Sequence, residues 1–182
     1  MMMSMAKLLK GQLANEFEAE DIEGKAISLK KYRGRKVMVS FFRYVACPLC
    51  NLRMHELITH YKKLHKKGLH IIALFQSPKE KILKYVGKQK LPFPIVPDPE
   101  KEIYKLYGVE ESLFKSLKTI GKIEKFKEAK NLGFKGGESD GSKITVPADF
   151  LIDEKGIIKK VYYGRDISDH LPIEEIEEFL GD

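Results

Sequence analysis

The sequence has few cysteines and no long apolar run, and these absences exclude several classes of protein. Only two of the 182 residues are cysteine, too few for the disulfide framework of a small secreted protein. The longest apolar run, around residues 71–75, has the length of a strand, whereas a bilayer-spanning helix needs about 20 apolar residues. We therefore expect no transmembrane segment and no membrane partner. The amino-terminal residues show neither an apolar stretch nor a small-residue cleavage site, so we expect no secretory signal and a cytoplasmic location.

The composition is that of a single folded domain, which we expect to cover residues 1–182. Hydrophobic residues make up 43% of the chain, enough for a core that needs no metal or disulfide. Lys plus Arg number 33 against 26 Asp plus Glu, which gives a net charge of +7. Such a charge can attract nucleic acid, but it says little about the fold. We interpret it as a solvated surface and expect no nucleic-acid partner, because no nucleic-acid-binding motif accompanies it.

Predicted strands and helices alternate along the chain and indicate an α/β fold. Residues 8–36 read as a hairpin or meander that leads into a core strand. Strands are predicted at 37–42, 69–75, 92–97, 148–153 and 157–164, and helices at 48–67, 78–90, 99–109 and 171–180. This order predicts a parallel sheet covered by helices on both faces, with a terminal antiparallel hairpin. Residues 112–146 form an insertion, predicted as a basic helical piece followed by a Gly-rich, mobile loop.

Both cysteines lie in the tetrapeptide Cys47-Pro48-Leu49-Cys50, between a core strand and a helix. The helix N-terminus stabilises a thiolate, and two cysteines three positions apart can close a disulfide without backbone movement. A CxxC beside a βαβ pattern is typical of a redox site. On the helix, Cys50 shares the arc that faces the sheet. We therefore expect Cys50 to be the more enclosed thiol and Cys47 the more exposed.

The cysteines also allow two other interpretations: inert structural thiols and a zinc site. Cys47, Cys50, His55 and His60 have a spacing close to that of a zinc knuckle. On a continuous helix, however, Cys47 and His60 would lie about 20 Å apart at 1.5 Å per residue, too far for one ion. We therefore predict no metal site.

The stretch VMVSFFRYVACPLCNLRMHEL resembles the active-site strand and helix of the peroxiredoxins, the alkyl hydroperoxide reductase and thiol-specific antioxidant superfamily. It is closest to the peroxiredoxin-like group that carries a CxxC. The segments DPEKEIYKLYGV and VPADFLIDEKGIIKKVYYG fit the same family, so the resemblance covers about residues 8–180. It implies a thioredoxin fold, three-layered α/β/α with a mixed sheet, an N-terminal β extension and a peroxiredoxin-type insertion. It implies no cofactor.

The family pattern P-x-x-x-T/S-x-x-C assigns candidate roles to three residues here. Aligning its cysteine places Cys50 at the peroxidatic position, Cys47 at the Thr and Arg43 at the Pro. Arg43 is the best candidate for a cation beside the thiolate. Pro147 stands where the family has its distal Arg, and resembles instead the commonly cis proline that shapes the thioredoxin substrate groove. An ordinary edge-strand proline is the alternative.

The resemblance implies a thiol peroxidase. Cys50 would attack a hydroperoxide, Cys47 would condense with the sulfenic acid, and an external dithiol of thioredoxin or glutaredoxin type would reduce the Cys47–Cys50 disulfide. Without the Thr and the usual Arg, we expect slow turnover. One alternative is a thioredoxin-like disulfide reductase in which exposed Cys47 attacks first. Another is a non-catalytic thioredoxin-fold binding module whose basic segment 115–130 binds an acidic partner or nucleic acid. A homodimer is compatible with each.

Overall fold

An amino-terminal hairpin precedes the main sheet. The structure, a computed structural model, describes residues 6–85, 91–119 and 122–181. Strands β1 (Glu18–Glu20) and β2 (Ala26–Ser28) pair antiparallel, and a short 3-10 turn follows at Leu29–Tyr32. Gly24 takes a φ of 83° in the tight turn between the two strands, as its sequence position predicted.

Among the described residues, the main sheet has five strands and is mixed. It contains β3 (Lys36–Phe41), β4 (Leu69–Phe75), β5 (Ile95–Pro97), β6 (Ala148–Ile152) and β7 (Ile158–Tyr163). The spatial order is β5-β4-β3-β6-β7. Strands β3, β4 and β5 run parallel, whereas β6 runs antiparallel to β3, and β7 antiparallel to β6. The predicted combination of a parallel sheet with an antiparallel terminal hairpin is confirmed.

In the part of the chain that the structure describes, six helices connect or flank the strands: α1 (Pro48–Lys66), α2 (Lys79–Tyr85), α3 (Glu102–Leu106), α4 (Leu113–Lys118), α5 (Ile123–Asn131) and α6 (Ile173–Gly181). Helix α1 begins with Pro48 in its first turn and ends before Gly68, which adopts a φ of 92°. The end of the helix predicted for 78–90 lies outside the described residues. No helix in the described ranges is long and apolar enough to cross a membrane.

The sheet separates two hydrophobic clusters and so creates three layers. Adjacent side chains on a strand point to opposite faces, so Phe41 and Phe42 enter different clusters. One cluster joins the sheet to α1, α2 and α6 and contains Phe42 and Leu57. The other joins it to α3 and the amino-terminal segment and contains Phe41 and Tyr107. Both cysteines belong to the first cluster.

The described part of the insertion packs against the rest of the protein. Its base is closed by hydrogen bonds from the Ser112 N–H to the Ile144 carbonyl (2.8 Å) and from the Val146 N–H to the Glu110 carbonyl (2.9 Å). Helix α5 packs on α1. Residues 132–146, called the covering loop below, return across the start of α1. The composition of this segment indicates a loop but does not indicate what the loop packs against.

A buried carboxylate in β6 joins the sheet to the segment before α6. Asp149 accepts hydrogen bonds from Ser40 Oγ, His170 Nδ1 (3.0 Å) and the Leu171 N–H (2.8 Å). Burial alone would raise the pKa of Asp149, but His170, Arg53 and Ser40 together hold it below its usual range. The ionised carboxylate therefore stabilises the fold above its unfolded-state pKa, about 3.9, and this contribution is lost as the pH falls through the lower folded-state value.

We expect Asp149→Asn to lower the free energy of unfolding at pH 7 by about 3 kcal/mol, because it replaces a buried carboxylate that accepts hydrogen bonds from Ser40, His170 and the Leu171 N–H. Urea denaturation at pH 7 and pH 3 measures this. The difference between the variant and the wild type should shrink at pH 3. The exposed turn variant Glu154→Gln is the control. If Asp149→Asn and Glu154→Gln lowered the free energy of unfolding equally at pH 7, the Asp149 carboxylate would have no stabilising role.

Candidate redox site

The two cysteines lie at the amino-terminal end of α1, directly after β3. Cys47 is the N-cap residue, and Cys50 lies in the first helical turn. Pro48 suits this start because its fixed φ is helical and its missing N–H would be unpaired there in any case. The sequence prediction of both thiols at the helix start is confirmed.

Both thiols are buried, which corrects the expectation that Cys47 would be exposed. Cys47 is 1% exposed and Cys50 2%. The physical reason is the covering loop, whose Gly137 N–H donates to the Ala46 carbonyl (3.3 Å) beside Cys47. Periodicity on α1 indicated which thiol faces the sheet, but it carried no information about a segment 90 residues further along the chain that covers the other.

The two thiols differ in their protonation. The pKa of Cys47 falls from 9.0 to about 6, because the Cys50 thiol donates to its sulfur and the positive charge of Arg43 lies close. The N–H groups of Cys50 and Leu49 act in the same direction, and together these outweigh burial. Burial raises the pKa of Cys50 well above 9.0, and the neighbouring Cys47 raises it further. At neutral pH the pair therefore consists of a thiolate at Cys47 and a thiol at Cys50.

Arg43 lies beside this thiolate, as the sequence proposed. It is 4% exposed, and its Nη1 donates to Cys47 Sγ at 3.5 Å. Its Nη2 donates to the Lys143 carbonyl in the covering loop at 2.7 Å. The guanidinium also lies 5.1 Å from the ring centroid of Tyr44. Held by three contacts, Arg43 supplies a fixed positive charge to the Cys47 sulfur.

Sequence reasoning missed three polar residues that join the segment after β3 to the covering loop. Gln76 and Ser77 follow β4, and the Gln76 N–H donates to the Arg43 carbonyl (3.2 Å). Ser77 Oγ accepts from the Val45 N–H and donates to Asp140 in the covering loop, each at 2.8 Å. The ends of neighbouring parallel strands meet, so Gln76 and Ser77 could have been found from the strand pattern. No pattern in the sequence pointed to Asp140.

Pro147 is buried immediately before β6, and its carbonyl accepts from the Gly164 N–H at 2.9 Å. No peptide bond in the described ranges is cis, so the expected cis proline is absent from this position. The edge-strand alternative also fails, because β6 lies between β3 and β7. Pro147 makes no hydrogen bond to the cysteine motif among the described residues.

The histidines of the zinc-like spacing lie away from the thiols. His55 is exposed and stands 6.0 Å from the Phe134 ring, while His60 Nδ1 bonds the Glu56 carbonyl at 2.9 Å. Within the described ranges, no three His, Cys, Asp or Glu side chains are grouped to hold a metal ion. Two cavities of about 490 and 320 Å³ flank α1, and neither is lined by a cysteine.

Comparison with known proteins places this site in a family. The sequence profile of the AhpC/TSA family matches residues 10–161. The chain belongs to the AhpC/TSA family. The peroxiredoxin-like resemblance drawn from the cysteine motif and its flanking segments is thereby confirmed.

This chain is similar in sequence to several peroxiredoxins. It is 30% identical over 112 residues to a chloroplastic peroxiredoxin Q of Sedum lineare, covering 62% of this chain and 60% of that protein. It is 28% identical over 107 residues to a putative peroxiredoxin of Mycobacterium tuberculosis, covering 59% of this chain and 68% of that one. The match thus spans only about half to 60% of the length of the plant relatives.

Solved structures confirm the thioredoxin fold. A peroxiredoxin 6 of Arenicola marina superposes with a TM-score of 0.72 at 15% identity, covering 96% of this chain and 72% of that one. A putative thiol:disulfide interchange protein DsbE of Chlorobium tepidum gives 0.66 at 18% identity, covering 96% and 99%. At these identities the likeness shows the fold.

The asymmetry of the thiols predicts the pH dependence of alkylation. The rate of Cys47 modification by iodoacetamide should rise with pH to a plateau, with a midpoint near 6, because only the thiolate reacts. Cys50→Ala removes the largest cause of the low pKa and should move the midpoint toward 9.0, whereas Cys50→Ser keeps a donor and should move it less. Equal midpoints in the wild type and the alanine variant would show that Cys50 does not stabilise the thiolate.

Proposed function

We propose that this protein is a thiol peroxidase that reduces hydroperoxides through a Cys47–Cys50 redox pair, with Cys47 as the attacking thiolate. The observation that carries the proposal is the enclosed Cys47 sulfur, held 3.5 Å from a buried arginine and with its pKa lowered to about 6. This order reverses the one that the family alignment implied, in which Cys50 attacks and Cys47 resolves. Burial with a raised pKa leaves Cys50 mostly protonated at neutral pH.

The first step is attack of the Cys47 thiolate on the terminal oxygen of R–O–O–H. The S–O bond forms, the O–O bond breaks, and its electron pair leaves on RO⁻, which takes a proton from solvent. The product is Cys47–S–OH. Arg43 lowers the barrier because its charge lies next to the sulfur and to the bond that gains negative charge.

The second step is condensation with Cys50. The Cys50 thiol attacks the sulfenic sulfur, the S–O bond breaks, and water leaves with the thiol proton, giving the Cys47–Cys50 disulfide. The CxxC spacing at a helix start suits this closure. An external dithiol then reduces the bond by exchange and is itself oxidised to a disulfide.

The burial of Cys47 favours a small oxidant over a protein disulfide. Access is limited by the covering loop, so a hydroperoxide reaches the sulfur with far less displacement than a folded protein would. A disulfide reductase is the second candidate. In such an enzyme the first cysteine of the CxxC attacks the substrate, and here the thiolate is at that first cysteine, Cys47.

The decisive assay is peroxide-dependent oxidation of a dithiol by the purified protein. We expect dithiothreitol consumption to require both hydrogen peroxide and the protein. Reduction of insulin disulfides by the same preparation is the comparison. Faster insulin reduction without any peroxide-dependent activity would favour the disulfide reductase instead.

A further inference from the structure

Three buried polar atoms, on residues that contact or belong to the covering loop, have no hydrogen-bond partner within the described ranges. They are Nε of Arg43, Nε2 of Gln76 and Oδ2 of Asp140. Leaving a buried polar group unpaired is unfavourable, and native proteins do so rarely. Three such atoms from three separate segments at one site therefore indicate a place that binds a polar ligand.

Each of the three residues is fixed by its remaining polar atoms. Arg43 donates through Nη1 and Nη2 to Cys47 and Lys143. Gln76, 2% exposed, accepts through Oε1 from the Ser142 N–H at 2.9 Å, which determines which end of its amide is the donor. Asp140 accepts through Oδ1 from Ser77. The unpaired atoms are thus held in place before any ligand arrives.

The three residues converge beneath the covering loop. Gln76 bonds the backbone of Arg43 and also Ser142, two residues from Asp140. Gly141 permits this approach, because a Cβ there would lie 2.8 Å from Gln76 Oε1. Within the described ranges, none of the three unpaired atoms hydrogen-bonds another of them, so each still has its capacity to pair with a ligand.

We propose that Arg43 Nε, Gln76 Nε2 and Asp140 Oδ2 bind the –O–O–H group of the hydroperoxide beside Cys47. The set offers two donors and one acceptor, whereas a hydroperoxide offers two acceptor oxygens and one hydrogen. A disulfide has no hydrogen to donate, and its sulfurs are weak acceptors. The hydrogen held by Asp140 stays on the transferred oxygen and ends on the sulfenic acid. This inference rests on the proposed peroxidase function and names the groups that replace the missing family Thr and Arg.

The test compares three reactions of the reduced protein. We expect Gln76→Leu and Asp140→Asn each to slow Cys47 oxidation by hydrogen peroxide about 10- to 100-fold. Their reactions with cystamine, a small disulfide, and with iodoacetamide should stay within about threefold of wild type, or rise if the covering loop loosens. Glu138→Gln changes an exposed carboxylate of the same loop and should leave all three rates unchanged.

The outcomes separate this inference from the function on which it rests. A wild type that does not react with hydrogen peroxide but reacts with cystamine would overturn the proposed function. A wild type that reacts with peroxide, with both variants equally fast, would overturn only the binding site. Parallel slowing of all three reactions in the variants would also overturn it, since that pattern reports a distorted cysteine pair.

Discussion

Cys47→Ser should abolish peroxide-dependent dithiol oxidation, reducing it to the rate without protein. The hydroxyl that replaces the thiolate is not ionised at neutral pH, and the remaining Cys50 thiol is buried with its pKa raised well above 9.0. Cys50→Ser should behave differently, because Cys47 keeps its arginine and its amide donors. We expect one rapid oxidation per Cys47, followed by turnover that depends on direct attack of the dithiol on the sulfenic acid.

Stopped-flow oxidation and steady-state dithiol consumption measure both variants. Circular dichroism checks that each folds. If Cys47→Ser retains a wild-type first oxidation while Cys50→Ser loses it, the order returns to the one implied by the family alignment, with Cys50 attacking.

Arg43→Met should slow Cys47 oxidation about 100- to 1,000-fold at pH 7. Deleting one preorganised hydrogen-bond donor beside the reacting atoms of an enzyme slows its reaction by about 100- to 1,000-fold. It should also raise the pKa of Cys47 above 6, since the guanidinium is the largest contribution from any charge to its lowering. Arg43→Lys keeps the charge but cannot reach both the sulfur and the Lys143 carbonyl, so an intermediate rate is expected.

The matched control is Arg35→Met, because Arg35 precedes β3 whereas Arg43 follows it, at the opposite end of the same strand. The ultraviolet absorbance of the thiolate, titrated with pH, reports the pKa independently of turnover. An Arg43→Met variant with an unshifted pKa and an unchanged oxidation rate would show that the arginine only anchors the covering loop.

The elements that carry the cysteines were predictable because their signals are local. A β-branched and aromatic run predicted β3, and Pro48 and Gly68 predicted the two ends of α1. The CxxC motif at the junction of this strand and this helix indicated the site. Gln76 could have been predicted as well, because it follows the neighbouring parallel strand. The burial of Cys47 and the role of Asp140 could not, since both depend on where the covering loop packs.

The protonation of the pair was also beyond the sequence. Helix position alone favours a thiolate at either cysteine, and the family pattern pointed to Cys50. What distinguishes them is three-dimensional: Arg43 contacts the Cys47 sulfur, and the Cys50 thiol donates a hydrogen bond to it.

The most direct test of the account is to locate the sulfenic acid after one equivalent of hydrogen peroxide. Reduced Cys47→Ser and Cys50→Ser proteins are mixed with peroxide and dimedone, and the adducts are mapped by peptide mass spectrometry. With Cys47 as the attacking thiolate, we expect a dimedone adduct at Cys47 in Cys50→Ser and almost none at Cys50 in Cys47→Ser. An adduct at Cys50 in Cys47→Ser, with Cys47 unmodified in the other variant, would contradict it.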